Sequence, residues 1–178
     1  MTATDDSRPR VVLVGPPGAG KTTVGRALAH RWDLEFRDTD ADVEAVAGKA
    51  VAEIFVDEGE GYFRELEAAA VASALADHPG VLALGGGAVT TPTTRDRLHG
   101  HRVVFLDVGL ADASSRVGLG VTRPLLLGNV RSQLKALLDA RRPLYAGVAQ
   151  VIVGTDGVDI DEVVDQVAAA VEQLIGPP

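Results

Sequence analysis

The sequence GPPGAGKT, at residues 15–22, is the strongest indication of the fold of this chain. It fits the pattern G-x-x-x-x-G-K-[ST], in which a glycine-rich turn joins a buried strand to a helix. The β-branched run at Val11–Val14 supplies the strand, and the residues after Gly20 have the apolar spacing of a helix. Small residues let backbone N–H groups turn toward a phosphate, and the helix N-terminus adds a positive dipole. The stretch predicts a site for nucleoside triphosphate phosphates; a turn that binds nothing is the alternative.

Two side chains of this phosphate loop have the chemistry for phosphate and metal. Lys21 can reach the β- and γ-phosphates as a point charge, and the hydroxyl of Thr22 can ligate Mg²⁺. The predicted nucleotide-binding positions of the loop are Gly18, Ala19, Gly20, Lys21, Thr22 and Thr23.

Beyond the loop, short apolar runs alternate with segments of helical periodicity. The predicted strands are 11–14, 35–38, 81–84, 103–107 and 151–153. The predicted helices are 20–32, 41–76 with breaks near Gly48 and Gly59–Gly61, 92–98, 111–117, 129–142 and 160–175. Such alternation predicts a single three-layer α/β domain, with a mostly five-stranded parallel sheet covered by helices on both faces. Residues 1–9 are expected to form a flexible tail.

Composition narrows the class of protein. The net charge of −8 argues against extensive nucleic-acid binding, which needs a basic surface. The absence of cysteine excludes disulfides and thiolate metal sites. No stretch approaches the roughly 18–20 apolar residues of a membrane span, and the polar start lacks a secretory signal. We therefore expect a cytoplasmic protein without membrane or nucleic-acid partners, and a monomer by default.

A pair of acids follows the second predicted strand. In an open parallel sheet, ligands bind at the carboxyl ends of the strands. If Asp38 and Asp40 lie on an extended segment, they point the same way and can share a site. One could hold Mg²⁺ through water while the other accepts a proton or hydrogen bond from a hydroxyl group. The alternative is that the two acids are N-caps for the following helix, and Asp40 could serve both as a cap and as a site residue.

Glycines and arginines elsewhere add candidates for the acceptor side. Gly85-Gly86-Gly87 follows a strand at the same sheet edge and permits close approach of a ligand to bare N–H groups, although a plain turn has the same composition. Arg64 and Arg141 are candidate forks for a carboxylate, or surface arginines. The glycine-punctuated segment 118–128 carries Arg123, as a lid that brings a cation onto transferring phosphate would, or is an exposed loop.

The histidines and the single tryptophan are not predicted to take part in a functional site. His30, His78, His99 and His101 show no ligand spacing with carboxylates and are predicted to lie at the surface. Trp32 is predicted to pack at a helix end rather than to form a stacking platform.

These motifs together resemble the shikimate kinase family, within the P-loop nucleoside-monophosphate-kinase-like fold. The resemblance runs from about Val11 to Ile175. It rests on GPPGAGKTT at 15–23, DTD at 38–40, IF at 54–55, YFRELE at 62–67, LGGGAV at 84–89, TRPLL at 122–126 and RRPLY at 141–145. Many enzyme types share the phosphate loop, whereas the ordered set of the other motifs is far more specific.

The resemblance implies Mg²⁺-assisted phosphorylation of the 3-hydroxyl of shikimate by ATP, giving shikimate 3-phosphate and ADP in aromatic amino-acid (chorismate) biosynthesis. It also implies a lid at 118–128 and a substrate-binding helical region at 41–76. The implied roles are as follows: Thr22 and Asp38 at the metal, Lys21 and Arg123 at the phosphates, Arg116 at the adenine, Asp40 as hydroxyl holder and base, Arg64 and Arg141 at the shikimate carboxylate beside Gly85, Gly86 and Gly87, Phe55 and Phe63 as apolar walls, and Glu67 as the acid that orients the arginines.

The chain departs from the family pattern in a few places. Pro16-Pro17 and Ala19 stand in the loop where other small or apolar residues are found, and the lid is unusually apolar before Arg123. Ala146-Gly147 follows RRPLY, where basic residues are common. The segment near Thr155-Asp156, expected to lie by the nucleotide base, does not align.

Two alternative functions remain at this point. The first is a related small-molecule kinase, such as a gluconate or nucleotide kinase, which does not explain the glycine loop together with two carboxylate-binding arginines. The second is a non-catalytic regulator that senses ATP or shikimate. The presence of Lys21, Asp38, Asp40 and Arg123 argues against it, because such domains usually lose at least one of these groups.

Overall fold

The architecture is given by a computed structural model that describes residues 7–118 and 130–176. It contains a five-stranded sheet in the spatial order β2-β3-β1-β4-β5, and every neighbouring pair is parallel. The strands are β1 Val11–Val14, β2 Phe36–Asp38, β3 Val81–Ala83, β4 Val103–Asp107 and β5 Val151–Gly154. The predicted parallel sheet is confirmed, with the strand that enters the phosphate loop at its centre.

Helices cover the sheet and build a separate excursion beside it. They are α1 Lys21–Trp32, α2 Thr39–Ala47, α3 Val51–Asp57, α4 Gly59–Asp77, α5 Pro92–Arg97, α6 Leu110–Gly118, α7 Val130–Val148 and α8 Ile160–Ile175, with a 3₁₀ turn at Ala88–Thr90. Among the described residues, no helix is long and apolar enough to cross a bilayer.

Three apolar clusters account for the layers. One lies on the sheet face covered by α1 and α8, and includes Leu28 and Val167. The second lies on the opposite face, around Leu82 and Tyr145. Because side chains alternate across a strand, β1 supplies both clusters, and all four of its residues are buried. The third cluster joins α2, α3 and α4 (Val43, Ile54 and Phe63) and gives the excursion a small core of its own.

Several sequence predictions of local structure are wrong. Asp38 and Asp40 do not share an extended segment, because β2 ends at Asp38 and α2 begins at Thr39. The break predicted near Gly59–Gly61 is confirmed, since α3 ends at Asp57 and α4 begins at Gly59, although Gly61 itself lies inside α4. Helix α7 continues beyond residue 142 and contains Pro143, because Tyr145 beyond the proline is anchored in the second cluster. Packing outweighs the local helix-breaking tendency there.

Two burial predictions are also wrong. His78 is only 6% exposed, and one ring nitrogen lies 3.1 Å from the Val81 carbonyl oxygen, so this histidine is not at the surface. Residues 7–9 do not form a free tail. Pro9 is buried, and its carbonyl oxygen accepts a hydrogen bond from Arg102 at 3.2 Å.

Candidate active site

The phosphate loop is closed on itself in this structure. Gly20 adopts φ 91°, which favours glycine, and a Cβ added to Gly15 would lie 2.5 Å from the Leu106 carbonyl oxygen. The Lys21 ammonium donates to the carbonyl oxygens of Gly15 at 2.6 Å and Pro16 at 3.0 Å. Burial lowers the pKa of Lys21 to about 8, against the opposing charges of Asp40 and Asp38. The ammonium group thus lies over the loop, facing two acids.

Asp38 and Asp40 lie beside this lysine on different backbone geometry from that predicted. Asp38 is the N-cap of α2, and its carboxylate accepts the Asp40 N–H at 2.9 Å. The other Asp38 oxygen lies 3.5 Å from the Thr22 hydroxyl, which brings the first acid to the phosphate loop. Burial raises the pKa of Asp40, and the neighbouring Asp38 charge raises it further, while Lys21 opposes both. Asp40 is therefore more basic than an ordinary aspartate.

The acceptor side is built on α3 and α4. The Arg64 guanidinium donates to Glu67 at 2.7 Å and to Glu60 at 3.3 Å. Its carbon lies 5.2 Å from the centroid of the Phe63 ring, and the rings of Phe55 and Phe63 are 4.7 Å apart. The Arg64 side chain is only 17% exposed, so it is not a surface arginine. A planar cation is held here between an acid and two aromatic walls.

Glu67 is a buried acid at the base of this arrangement. It is 1% exposed; burial raises its pKa, and the hydrogen bond and charge of Arg64 oppose that rise. Its second oxygen, Oε2, has no hydrogen-bond partner within residues 7–118 and 130–176. The pair with Arg64 compensates much of the cost of burying the carboxylate.

The glycine loop lies where these elements meet, and each glycine is required by a different neighbour. A Cβ on Gly85 would lie 2.5 Å from Asp40 Oδ1 and 2.8 Å from Glu67 Oε2. On Gly86 it would lie 2.9 Å from the Pro17 ring, and on Gly87 2.6 Å from the central guanidinium carbon of Arg64. None of the three has a positive φ, so space rather than backbone freedom selects glycine.

Helix α7 brings the second predicted arginine to the same place. The positive charge of Arg141 lies close enough to lower the pKa of Lys21, of Glu67 and of the Tyr145 hydroxyl. Tyr145 is 1% exposed and donates its hydroxyl proton to the Gly86 carbonyl oxygen. The structure thus brings together Lys21, Asp38, Asp40, Arg64, Glu67 and Arg141 around Gly85–Gly87.

Arg116, the candidate adenine-binding residue, lies on the other side of the phosphate loop. Arg116 donates to the Gly18 carbonyl oxygen at 2.8 Å and approaches the Thr155 carbonyl oxygen at 3.4 Å. The adjacent Asp156 accepts the Gly109 N–H through both oxygens at 2.8 Å. Arg116 therefore joins the phosphate loop to the segment after β5, near Thr155-Asp156, which does not align with the family pattern.

Some predicted residues are placed apart, and others were missed. Arg123 lies outside the described residues, as does the lid apart from Gly118. Thr23 is exposed on α1. Sequence reasoning missed two contacts of the glycine loop, those of Thr39 and Tyr145. Thr39 stood between the two acids and Tyr145 ended the RRPLY motif, so position within a quoted motif was the available signal.

The match to known sequences is extensive. The sequence pattern of the family described as shikimate kinase covers residues 17–172. This chain belongs to the shikimate kinase family. A shikimate kinase of Frankia casuarinae is 62% identical over 165 residues, which cover 93% of this chain and 73% of the relative. A shikimate kinase of Salinispora arenicola is 61% identical over 161 residues, covering 90% of this chain and 96% of the relative.

Solved structures agree with the shikimate kinase assignment. A shikimate kinase of Acinetobacter baumannii in complex with shikimate superposes with a TM-score of 0.86 at 36% identity, covering 96% of this chain and 94% of that one. A gluconokinase of Sinorhizobium meliloti superposes with a TM-score of 0.57 at 22% identity over 95% of this chain and 93% of that one, which shows a shared fold alone. The predicted family and fold are confirmed.

Proposed function

We propose that this chain transfers the γ-phosphoryl group of ATP to the 3-hydroxyl of shikimate, giving shikimate 3-phosphate and ADP. The proposal rests on one observation: the phosphate loop, Asp40 with its raised pKa, and the buried Arg64–Glu67 pair all lie around Gly85–Gly87. One side of this arrangement suits phosphates, and the other suits a small acid that bears hydroxyl groups. Membership of the shikimate kinase family supports both halves.

The acceptor is held by its carboxylate. Arg64 is oriented before substrate arrives by Glu67 at 2.7 Å and by the Phe63 ring, while its longer contact with the exposed Glu60, at 3.3 Å, is the one that a substrate carboxylate can replace. A guanidinium fork matches a carboxylate through two parallel hydrogen bonds. Arg141, on α7, supplies the second cation. Fixing the acid at one end of a rigid ring sets the place of its hydroxyl groups at the other end.

Asp40 is the group that accepts the proton of the reacting hydroxyl group. The acceptor oxygen attacks the γ-phosphorus in line, its proton passes to the Asp40 carboxylate, and the bond from phosphorus to the β–γ bridging oxygen breaks to release ADP. Burial and the Asp38 charge raise the pKa of Asp40, which improves its capacity to accept this proton. Lys21 exchanges its contacts with the Gly15 and Pro16 carbonyl oxygens for phosphate oxygens and stabilises their charge.

Thr22 and Asp38 are the residues that would hold Mg²⁺. Their oxygens lie 3.5 Å apart, and residues 7–118 and 130–176 contain no group of three or more acidic, histidine or cysteine side chains that could hold a metal ion by itself. A site with few protein ligands fits Mg²⁺, which keeps several waters and binds substrate phosphates. When bound, the ion neutralises charge on the β- and γ-phosphate oxygens. Arg123 on the lid is proposed to add a further positive charge there.

The test of this function is ADP release from the whole chain with ATP and Mg²⁺, comparing shikimate, gluconate and nucleoside monophosphates as acceptors. We expect release that depends on shikimate alone. Release with gluconate or a nucleotide would replace the proposed acceptor, and no release with any acceptor would favour a regulator that senses its ligands.

A matched pair of arginine variants tests the acceptor side. Arg64→Ala should raise the shikimate KM at least tenfold, because a charged hydrogen bond is worth roughly 1.5–3 kcal/mol, and should change the ATP KM little. Arg142→Ala is the control. Arg142, which follows Arg141 on α7, is half exposed and pairs with Asp107 at 2.8 Å. An equal loss of affinity for both substrates in Arg64→Ala would contradict the assignment.

A further inference from the structure

The peptide unit between Gly86 and Gly87 is held from one side by Tyr145. This tyrosine donates its hydroxyl proton to the Gly86 carbonyl oxygen from a position deep in the second apolar cluster. Its ring packs against Phe105 with 5.0 Å between the centroids, so the hydroxyl cannot swing away. The contact joins residues 59 positions apart and connects α7 to the glycine loop.

The rest of the loop is fixed at two further points. The Gly85 N–H donates to the buried Thr39 hydroxyl at 3.1 Å, and the Gly87 carbonyl oxygen accepts from the Thr90 hydroxyl at 2.6 Å. Within residues 7–118 and 130–176, no hydrogen bond uses the N–H group of Gly86 or of Gly87 as its donor. Two backbone donors are therefore held in a rigid loop and left available.

The geometry of the peptide bond converts this anchor into a direction. The carbonyl of Gly86 and the N–H of Gly87 belong to one planar trans unit, so the two groups point in opposite directions. With the carbonyl directed to the Tyr145 hydroxyl, the Gly87 N–H points away from the apolar cluster. Arg64 lies against Gly87 from outside that cluster. The donor is thereby placed beside the guanidinium that is proposed to hold the substrate carboxylate.

We propose that Tyr145 is a positioning residue for the acceptor substrate, which aims the Gly87 N–H at the carboxylate held by Arg64. The inference rests on the proposed function. Tyr145 also stands one helical turn after Arg141, so both residues lie on the same face of α7. One helix therefore carries a cation for the acid and the anchor of the backbone donor beside it.

The anchor works at every pH at which the enzyme is expected to act. Burial raises the pKa of Tyr145 to about 12, while the charge of Arg141 opposes that rise. The hydroxyl keeps its proton and remains a donor to the Gly86 carbonyl oxygen. Loss of the hydroxyl should consequently change the affinity for shikimate without adding a new limb to the pH profile.

The variant Tyr145→Phe removes the hydroxyl and keeps the ring in the core. We expect the shikimate KM to rise roughly five- to tenfold, the size of one ordinary hydrogen bond, with the ATP KM within about twofold of the wild-type value. Thr94→Val is the matched control, because it deletes one buried hydroxyl that has no partner among the described residues. A residue with a merely structural role would lower the melting temperature and leave both KM values unchanged, and that result would overturn the proposal.

A second readout separates this inference from the proposed function. The amide nitrogen of Gly87 reports on hydrogen bonding to the preceding carbonyl, so its ¹⁵N resonance should move in Tyr145→Phe and not in Thr94→Val. If the wild-type protein does not phosphorylate shikimate, the proposed function is refuted. If the Gly87 ¹⁵N signal does not move in Tyr145→Phe, the anchoring role of Tyr145 is refuted, whatever the activity. If Tyr145→Phe does not fold, 3-fluorotyrosine-labelled wild-type protein replaces it. Shikimate should then shift the Tyr145 fluorine signal, and no shift would refute the inference.

Discussion

The substitution Gly85→Ala tests whether the closeness of the glycine loop to the acids matters for catalysis. The added Cβ would lie 2.5 Å from Asp40 Oδ1, whereas ordinary contact begins at 3.4 Å, so one side must yield by the difference of 0.9 Å. Gly85 is fixed, since its N–H is bonded to the buried Thr39 and the Gly86 carbonyl oxygen to Tyr145. We therefore expect Asp40 to move.

A displacement of about 1 Å at a reacting group costs roughly a hundredfold in rate. We accordingly expect Gly85→Ala to lower kcat with shikimate about a hundredfold and to leave the ATP KM nearly unchanged, because Lys21 and its loop are untouched. The assay is coupled ADP release at saturating ATP over a range of shikimate concentrations, with circular dichroism to verify folding.

The control is Gly147→Ala, on α7. An added Cβ there would meet nothing within 4 Å, and its backbone does not have a positive φ. It should keep full activity and gain up to about 1 kcal/mol of stability, because glycine is unfavourable inside a helix. A folded Gly85→Ala protein with near wild-type kcat would refute the assignment of Asp40 to the reacting hydroxyl.

Three further predictions concern stability, pH and the base. Thr39→Val should lower the free energy of unfolding by about 1–3 kcal/mol in urea denaturation, because it leaves the buried Gly85 N–H without an acceptor; the exposed Thr93→Val is its control, and equal midpoints would contradict the contact. The kcat/KM for ATP should fall as pH rises through about 8, where Lys21 loses its charge, and Lys21→Arg should abolish that limb; a flat profile to pH 9 would count against it. Asp40→Asn should lower kcat at least a hundredfold with ATP still bound, and should remove the loss of kcat that we expect in the wild type as pH falls through the raised Asp40 pKa; a wild-type rate would exclude Asp40 as the base.

Local sequence was sufficient for the elements whose residues are neighbours in the chain. The phosphate loop, with β1 before it and α1 after it, is a contiguous pattern in which glycine and β-branched residues have strong local preferences. Helix α8 was predicted at its observed bounds, because its apolar residues recur at helical spacing. The strands were predicted to within one residue at each end, because short runs of apolar and β-branched residues are typical of buried parallel strands.

Local sequence was misleading where tertiary packing outweighs preference. Asp38 and Asp40 were expected on an extended segment, yet a strand of three residues passes directly into α2, with Asp38 as its cap. The helix predicted to end at residue 142 continues through Pro143 to Val148, because Tyr145 is buried in the second cluster. His78 was predicted to lie at the surface because it shows no ligand spacing with carboxylates, but the structure buries it to 6% exposure.

For the site, the chemical groups could be predicted from sequence alone: a phosphate loop with its lysine, a pair of acids, a glycine loop and two arginines. The contacts that hold these groups in place depend on the packing of distant segments. Thr39 contacts Gly85 across 46 positions, and Tyr145 contacts Gly86 across 59. Such contacts have no local signature, because the hydrogen-bond partner is chosen by the packing of α2 and α7 against the sheet and not by any neighbouring residue.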